Sequence, residues 1–426
     1  MIIDTSIVFI ILLAVMILIR VPVGIALIGV SFAGLWVLIG FNPAWGSLGV
    51  IPYQFSSSWV LSAVPAFLFM GYLCSVTGLT KGLFNAFRVW LSFLPGGLAV
   101  SSVFGCAGFA AISGSSVACS AAMGRIAVPE MVEAGYEPEM ATSTVAASGT
   151  LGALIPPSIL MIVYAVIAEV SVTKLFAQGA LIGIITALVY AGLIILRVKL
   201  KPSLAPATNV HATTQEKVAA LVDTWPMLAI LLGTFGGLFA GVFTPTEAAA
   251  VGALLSCLVA GIKGALTIDR VFLSAIDAVK TTASIILIAV GASLFSRFLA
   301  LSGAGATIQD AVLSLGADPL VIIVLIALVY LVLGMFLDPM GAMLLTLPIF
   351  LPILRDVGID LVAFGILLAK LLEIGCLTPP IGMNVFVMKS VVGNLLTTGA
   401  IFRGVAWFVA ADLLIVAGWI AFGGIL

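Results

Sequence analysis

The sequence predicts an all-α polytopic membrane protein with about ten spans, arranged as an inverted-topology repeat. Composition, the length of the apolar runs and an internal repeat predict this fold class. Of the 426 residues, 63% are hydrophobic and 8% are charged, with a mean hydropathy of +1.34, whereas a soluble domain carries about 25% charged residues. A soluble enzyme is therefore excluded. The 17 basic and 18 acidic residues nearly cancel, so no basic surface points to nucleic acid.

The apolar runs are long enough to cross a lipid bilayer, for which a helix needs about 20 residues. The first run lacks a positive n-region and a cleavage site, so we expect it to be an uncleaved span. Residues 79–95 predict an amphipathic helix at the interface. The predicted spans are 3–19, 22–40, 59–78, 139–168, 175–196, 226–242, 245–262, 282–301, 361–391 and 405–425.

Two further apolar runs, at about 96–131 and 319–354, are interrupted near their middle. The first is split by SGSS at 113–116 and the second by DPMG at 338–341. Each half is short for a full crossing. We therefore predict two re-entrant hairpins, which dip into the membrane and return with a polar tip inside it.

Basic residues predict the orientation, because they are enriched on the cytoplasmic side of membrane proteins. With the N-terminus outside, 13 of the 17 fall on or near the inner face, and Lys174, Arg297 and Arg355 remain toward the outside. We therefore expect both termini to be periplasmic and the polar connection 197–223 to be cytoplasmic.

A shift of 223 residues superposes the prolines and glycines of the two halves. Apolar matches are common in such a composition, but prolines in register over more than 130 residues are not. The hairpin tips coincide as well, with Ser115 falling on Asp338. The superposed prolines are Pro22 and Pro245, Pro129 and Pro352, Pro156 and Pro379, and Pro157 and Pro380.

Each half then holds five spans and one hairpin, and five crossings turn the second half upside down. We predict a first repeat over residues 1–197, a cytoplasmic linker over 198–223 and a second repeat over 224–426. Inverted repeats are typical of secondary transporters, whose sites lie near the midplane where helices are broken.

Both repeats contain a broken span at the corresponding position. GTLGALIPPS at 149–158 interrupts the span 139–168, and residues 373–384 interrupt the span 361–391. Glycines and a Pro-Pro pair do not sustain an α-helix, and open backbone at this depth survives only where it lines a cavity. A kink that serves packing is the simpler alternative, but two equivalent breaks beside two hairpins favour a binding site.

The breaks and tips supply groups that bind small ions. Freed carbonyls and Ser/Thr hydroxyls suit an alkali cation, and half-helix N-termini attract a carboxylate. Two roles stay open for Asp338, a functional charge or a cap for the helix that follows. The candidate residues are Ser113, Gly114, Ser115, Ser116, Ser148, Gly149, Thr150, Gly152, Pro156, Asp338, Gly375, Thr378, Pro379 and Asn384.

Other intramembrane charges have less defined roles. Lys370 and Glu373, three residues apart, predict mutual neutralisation on one helix face. Arg125 and Arg297 are placed either to meet a substrate carboxylate or to snorkel to the interface. Asp412 receives no role.

The energy source is predicted from what the sequence lacks. No G-x-x-x-x-G-K-[ST] motif occurs, so we expect no nucleotide. Proton relays and intramembrane enzymes use deep Asp, Glu and His residues, and the only histidine, His211, lies in the polar linker. Hydroxyls and carbonyls at two breaks favour Na⁺ as the coupling ion, in a secondary transporter rather than a channel.

The sequence resembles the large membrane subunit of tripartite ATP-independent periplasmic (TRAP) transporters over essentially its whole length. The likeness rests on SGS at 113–115, GTLGALIPPS at 149–158, GVFTPTEA at 241–248, LDPMG at 337–341 and TPPIGMN at 378–384. It implies an elevator-type ion-transporter fold in the bacterial inner membrane. It also implies a small four-helix membrane subunit, expected here as a separate chain, and a periplasmic substrate-binding protein.

The resemblance also implies a cargo and two Na⁺ sites. The cargo is an organic acid, such as a C4-dicarboxylate or sialic acid. The alternative is a stand-alone Na⁺- or H⁺-coupled carboxylate transporter without a binding protein. Carried onto this chain, the first Na⁺ site comprises Ser113, Gly114, Ser115, Gly149 and Gly152, the second Gly334, Gly375 and Thr378, with Asp338 and Asn384 near a shared cavity.

Overall fold

A computed structural model of the chain describes residues 2–206, 212–314, 318–422 and 425, without the side chains of 2–5, 308 and 311–314. His211 lies outside these residues. Helices make up the described regular structure, which contains no strand. The helices of the first half are α1 (Ile2–Leu18), α2 (Val23–Ile39), α3 (Phe41–Ser56), α4 (Ala63–Thr77), α5 (Lys81–Trp90), α6 (Gly97–Ser113), α7 (Ser116–Glu133), α8 (Pro138–Gly149), α9 (Ile159–Ala168) and α10 (Val172–Leu200).

The second half repeats this order of elements after a short linker helix, α11. Its first long helix, α12, contains one π-helical turn. The helices are α11 (Thr214–Val222), α12 (Trp225–Phe239), α13 (Pro245–Ile262), α14 (Ile268–Ser302), α15 (Ala304–Ser314), α16 (Pro319–Phe336), α17 (Pro339–Asp356), α18 (Leu361–Gly375), α19 (Met383–Val392) and α20 (Thr398–Phe422).

Helix bounds in the two halves correspond at the offset of 223. Helices α7 and α17 begin at 116 and 339 and end at 133 and 356. Helices α8 and α18 are each followed by a break and a ten-residue helix, α9 or α19. Helices α3 and α4 correspond to successive parts of the single helix α14. The punctuation of the sequence and the helix bounds therefore share one periodicity.

The chain is a polytopic membrane protein. Seven described helices are long and apolar enough to cross a membrane, or eight if α11 and α12, bent by 45°, form one span. On one face of α10, Leu181, Ile184 and Leu188 are each more than half exposed. An apolar surface of this extent is one that lipid covers.

Three elements differ from the prediction. The predicted span 282–301 is the end of α14, whose 35 residues extend about 52 Å at 1.5 Å per residue. Its first turns carry charges, so the apolar-run criterion missed them. Helix α3 was not predicted because Pro43, Gly46 and Pro52 punctuate it, and α15 was missed too. Helices α16 and α17 each have the length of a full span, so the re-entrant path of the second hairpin stays a prediction.

The broken spans join the two halves. A Cβ on Gly365 of α18 would lie 2.4 Å from the ring of Tyr164 on α9, and the Tyr164 hydroxyl donates to the Leu361 carbonyl at 2.6 Å. A Cβ on Gly124 of α7 would lie 2.9 Å from Met388 on α19. Each short helix after a break thus packs on a helix of the other half.

Helices α2, α4, α13 and α14 form a second group, which packs side by side. Gly34 of α2 lies against the ring of Phe298 on α14, and Gly252 of α13 lies against Met70 on α4. Helix α5 packs on α6, where the Ser101 hydroxyl donates to the Phe87 carbonyl at 2.9 Å. We call helices α2, α4, α13 and α14 the long-helix framework. The hairpins and broken spans pack beside it.

Candidate functional site

A cavity of about 210 Å³ lies between the two hairpin tips. Gly114, Ser115 and Ser116 line it from the first tip, and Asp338 lines it from the second. Glu373, on the helix turn before the second break, completes its polar lining together with Tyr72 and Thr281. The structure thus brings four of the predicted residues together.

The first tip lies directly on the first break. Gly114 has a φ of +62°, and a Cβ there would lie 2.1 Å from the Pro157 carbonyl oxygen. A Cβ on Gly152 would lie 2.6 Å from the Ser115 backbone. Ser115 caps α7, where its hydroxyl accepts from the Ala118 amide at 3.4 Å. The glycines therefore allow a contact between tip and break that no larger residue permits.

Gly149 and Thr150 stand at the start of the first break. A Cβ on Gly149 would lie 1.8 Å from the Ser120 Oγ, which brings α8 against α7. The Thr150 hydroxyl donates to the Ala147 carbonyl at 2.6 Å, so it satisfies its own helix end. Pro156 is buried. The bonds 156–157 and 379–380 are both cis.

The second hairpin meets the second break through two glycines. A Cβ on Gly375 would lie 2.5 Å from the Cα of Gly334, so the backbones of α16 and α18 touch. The Thr378 hydroxyl donates to the Ile374 carbonyl at 2.7 Å, which leaves its lone pairs free. The backbone N–H of Asn384 donates to the Cys376 carbonyl at 3.1 Å across the break. Pro379 is exposed.

Asp338 fills the capping role, one of the two roles that the sequence left open. It is the N-cap of α17, where its Oδ2 accepts from the Gly341 amide at 2.8 Å. It also lines the cavity. The same side chain therefore starts α17 and lines the cavity, and its role in binding stays a prediction.

Several buried polar atoms on the hairpins and broken spans have no hydrogen-bond partner among the described residues. Burying such atoms unpaired costs free energy, so a cluster of them fits an absent ligand. Asn384 is unpaired at both ends of its side-chain amide. The unpaired atoms are Ser113 Oγ, Ser120 Oγ, Ser148 Oγ, Glu373 Oε2, Asn384 Oδ1 and Asn384 Nδ2.

Tyr72 and Thr281 line the cavity and were not predicted. Their hydroxyls lie 2.9 Å apart and join α4 to α14, both of the long-helix framework. Their separation of 209 residues leaves no local pattern in the sequence. The cavity is thus walled on one side by hairpins and breaks and on the other by this framework.

The prediction that Lys370 and Glu373 neutralise each other is wrong. The Lys370 Nζ lies 2.6 Å from Asp412 Oδ1 on α20, with side chains 2% and 0% exposed. The Tyr190 hydroxyl donates to Asp412 Oδ2 at 2.7 Å, and Lys370 also donates to Thr186 at 3.2 Å. The flexible lysine side chain reaches the neighbouring helix, where its charge meets a partner, and Glu373 Oε2 is left unpaired.

A polar cavity between broken helices, inside a bundle of apolar spans, is typical of a membrane transporter. The chain belongs to the family described as the tripartite ATP-independent periplasmic transporter, DctM component, whose model matches residues 10–425. Members of this family are transporter permeases, and the chain is not an enzyme. The family prediction made from the motifs is confirmed.

Curated relatives agree with this assignment, and a solved structure shares the fold. The C4-dicarboxylate TRAP transporter large permease protein of Pseudomonas aeruginosa is 35% identical over 85% of each chain. The sialic acid TRAP transporter large permease protein of Vibrio cholerae is 31% identical over 87% of this chain and 86% of its own length. The YdaH transporter of Alcanivorax borkumensis shares the fold, with a TM-score of 0.61 at 14% identity over 90% of each chain.

Proposed function

We propose that this chain drives Na⁺-coupled uptake of an organic acid across the bacterial inner membrane, with both termini periplasmic. In this proposal it acts with a small four-helix membrane subunit and a periplasmic protein that delivers the acid. The cargo class, a C4-dicarboxylate or a sialic acid, follows the names of the relatives. The cavity between two hairpin tips and two breaks is the observation that carries the proposal.

Na⁺ fits the donors around this cavity. In the first half, the Ser113 and Ser115 hydroxyls and the backbone at Gly149 and Gly152 would hold one ion. Hard oxygen donors of this kind suit alkali cations, and the unpaired Ser113 Oγ is one of them. A bound cation supplies positive charge that offsets the charge of an organic anion nearby.

In the second half, backbone at Gly334 and Gly375 and the Thr378 hydroxyl would hold the other ion. The Thr378 hydroxyl already donates a hydrogen bond to the Ile374 carbonyl, so the lone pairs of its oxygen are free to coordinate a cation. The unpaired Asn384 amide lies on the helix start after this break and suits a polar group of the cargo.

An elevator movement is the mechanism we propose, in which hairpins and broken spans slide as one body along the long-helix framework. The glycine contacts of Gly114, Gly152 and Gly375 support a single body, because they hold each hairpin against its break. A Cβ on Gly71 of the framework helix α4 would lie 2.9 Å from the Ile112 carbonyl oxygen, so this contact must part when the body slides. The Tyr72–Thr281 pair belongs to the framework and faces the body across the cavity. The inverted repeat accounts for two access directions from one fold.

A stand-alone carboxylate transporter, coupled to Na⁺ or H⁺, is the second candidate. It shares the cavity and differs in its partners. Purification of the tagged chain from its native membrane distinguishes the two, because a stable small four-helix protein accompanies a TRAP subunit. Recovery of the chain alone, with full uptake in liposomes, would favour the stand-alone transporter.

Thermal unfolding in NaCl and in choline chloride at equal ionic strength tests Na⁺ binding. An ion at about 100 times its dissociation constant stabilises the folded state by roughly 2.7 kcal/mol. We expect Thr378→Ala to reduce the Na⁺-specific increase in midpoint. Thr77→Ala is the matched control, because Thr77 makes the same bond to the carbonyl four residues before it. Equal midpoints of the unmodified chain in both salts would contradict Na⁺ coupling.

A further inference from the structure

A second and larger cavity, of about 630 Å³, is formed by the ends of four helices. The ends of α3 and α14 line it on one side, and the ends of α9 and α17 line it on the other. Its polar lining consists of Gln54, Ser58, Ser293, Ser296, Arg297 and Arg355. The described residues that line it include two guanidinium groups and no carboxylate, so the lining carries a net positive charge.

Arg297 supplies one of these two charges. No acidic side chain of the described residues lies within ion-pair distance of it. Arg355 lies 3.9 Å from Glu169, in a pair whose side chains are 49% and 81% exposed. Such an exposed pair contributes little to stability, so Arg355 can exchange Glu169 for another anion at little cost. Arg355 also donates to the Ala168 carbonyl at 3.2 Å, which directs its side chain along the cavity wall.

The same three helices line both cavities. Helix α17 runs from Asp338 at the small cavity to Arg355 at the large one, about 25 Å at 1.5 Å per residue. Helix α14 contributes Thr281 to the small cavity and Arg297 to the large one. Helix α9 lines the small cavity at its start and the large one at its end. The large cavity therefore lies along the helices that lead to the proposed cargo site.

The two arginines lie on the side where basic residues are scarce. In the proposed orientation both Arg297 and Arg355 face the periplasm, and basic residues avoid that face of membrane proteins. Two exceptions that line one cavity point to a use for their charge. Guanidinium groups bind carboxylates through paired hydrogen bonds, and a charged cleft raises the local concentration of the opposite ion.

We infer that the large cavity is a periplasmic vestibule in which Arg297 and Arg355 bind the carboxylate of the organic acid before it reaches the small cavity. This inference rests on the proposed function for the nature of the cargo. The vestibule binds carboxylates without selecting among them, because its donors are two guanidinium groups beside serine hydroxyls. An anionic lipid headgroup is the competing source of the same chemistry.

The test measures the charge of the vestibule at one position. Ser296→Cys places a thiol beside Arg297, and the full chain in phosphatidylcholine nanodiscs is labelled with an anionic or a cationic methanethiosulfonate. The protein without this substitution gives the background from the native cysteines. Two nearby unit charges in water change the anionic-to-cationic rate ratio by about tenfold. We expect the anionic-to-cationic rate ratio to fall by that factor in the Arg297→Gln, Arg355→Gln double variant, and by less in Arg297→Gln alone.

Arg270→Gln is the matched control, because Arg270 also lies on α14 but binds the Ala265 carbonyl outside the vestibule. Succinate should slow labelling of the cysteine severalfold, and the neutral analogue succinamide should not. A ratio that ignores Arg297 and Arg355, or labelling that succinate leaves unchanged, would overturn the inference. Slowing by phosphatidylglycerol in the nanodisc but not by succinate would assign the vestibule to lipid instead.

The Na⁺-dependent thermal shift of the same preparations reports on the proposed function separately. A normal shift with no vestibule charge would refute the vestibule alone. A missing shift with succinate-sensitive labelling would refute Na⁺ coupling and leave the vestibule standing. Retention of the shift in the arginine variants also shows that they are folded.

Discussion

Replacement of Lys370 by methionine should destabilise the chain more than any exposed charge removal. The Lys370–Asp412 pair is buried, with side chains 2% and 0% exposed, so the substitution leaves the Asp412 carboxylate uncompensated inside the bundle. Breaking a buried pair in this way costs about 3–5 kcal/mol. The Tyr190 hydroxyl continues to donate to Asp412, so we expect the lower end of that range.

The assay is thermal unfolding in detergent, followed by tryptophan fluorescence. With the unfolding entropy per residue of soluble proteins, 1 kcal/mol shifts the midpoint of a chain of this size by about 1 °C, so a fall of roughly 3 °C is expected. Arg88→Met is the control, because its partner Glu130 lies at 2.5 Å but the two side chains are 50% and 30% exposed, and such pairs contribute about 0–1 kcal/mol.

A compensated variant separates lost attraction from an unpaired charge. Lys370→Met combined with Asp412→Leu and Tyr190→Phe removes all three polar groups, and apolar replacement of a buried pair is often neutral. We expect most of the midpoint to return. The reasoning is refuted if Lys370→Met lowers the midpoint no more than Arg88→Met, or if the compensated variant is less stable than Lys370→Met alone.

Two further substitutions examine the second hairpin and its break. Gly375→Ala brings a methyl group within 2.5 Å of the Gly334 backbone and should cost about 1–3 kcal/mol. A Cβ on Gly418 would meet no atom of a described residue outside its own helix turn within 4 Å, so Gly418→Ala should stabilise its helix by about 0.5–1 kcal/mol. Equal effects of the two substitutions on the thermal midpoint would contradict the backbone contact. Asp338→Ala removes the acceptor of the Gly341 amide and should cost about 1 kcal/mol. Asp338→Asn should retain the cap and the midpoint but reduce uptake by the reconstituted transporter, and unchanged uptake would leave Asp338 only as a cap.

Local punctuation predicted the elements around the site well. The predicted span 245–262 is helix α13, residue for residue, because Pro245 begins it and Thr244 forms a capping box with Glu247. The hairpin tips lie where SGSS and DPMG interrupt the apolar runs. In both cases the signal is a residue type with a fixed backbone preference, which acts within a few positions of itself.

Long-range partners could not be predicted in this way. Asp412 lies 42 residues from Lys370 and 222 from Tyr190, and only the packing of α18, α10 and α20 brings the three together. Glu373 is a nearer partner for Lys370 in the sequence, three residues away on the same helix. An ion pair at that spacing contributes only a few tenths of a kcal/mol. Burial of the lysine beside a second carboxylate outweighs it.

The Lys370–Asp412 pair also makes the two similar halves of the chain non-interchangeable. At the offset of 223, the positions that correspond to Lys370 and Asp412 hold Ala147 and Val189. During membrane insertion, a nascent helix that docked on the equivalent surface of the wrong half would bury a lysine against valine, at a cost of several kcal/mol. We therefore expect this polar contact to help each helix select the correct one of two similar partners while the protein assembles in the bilayer.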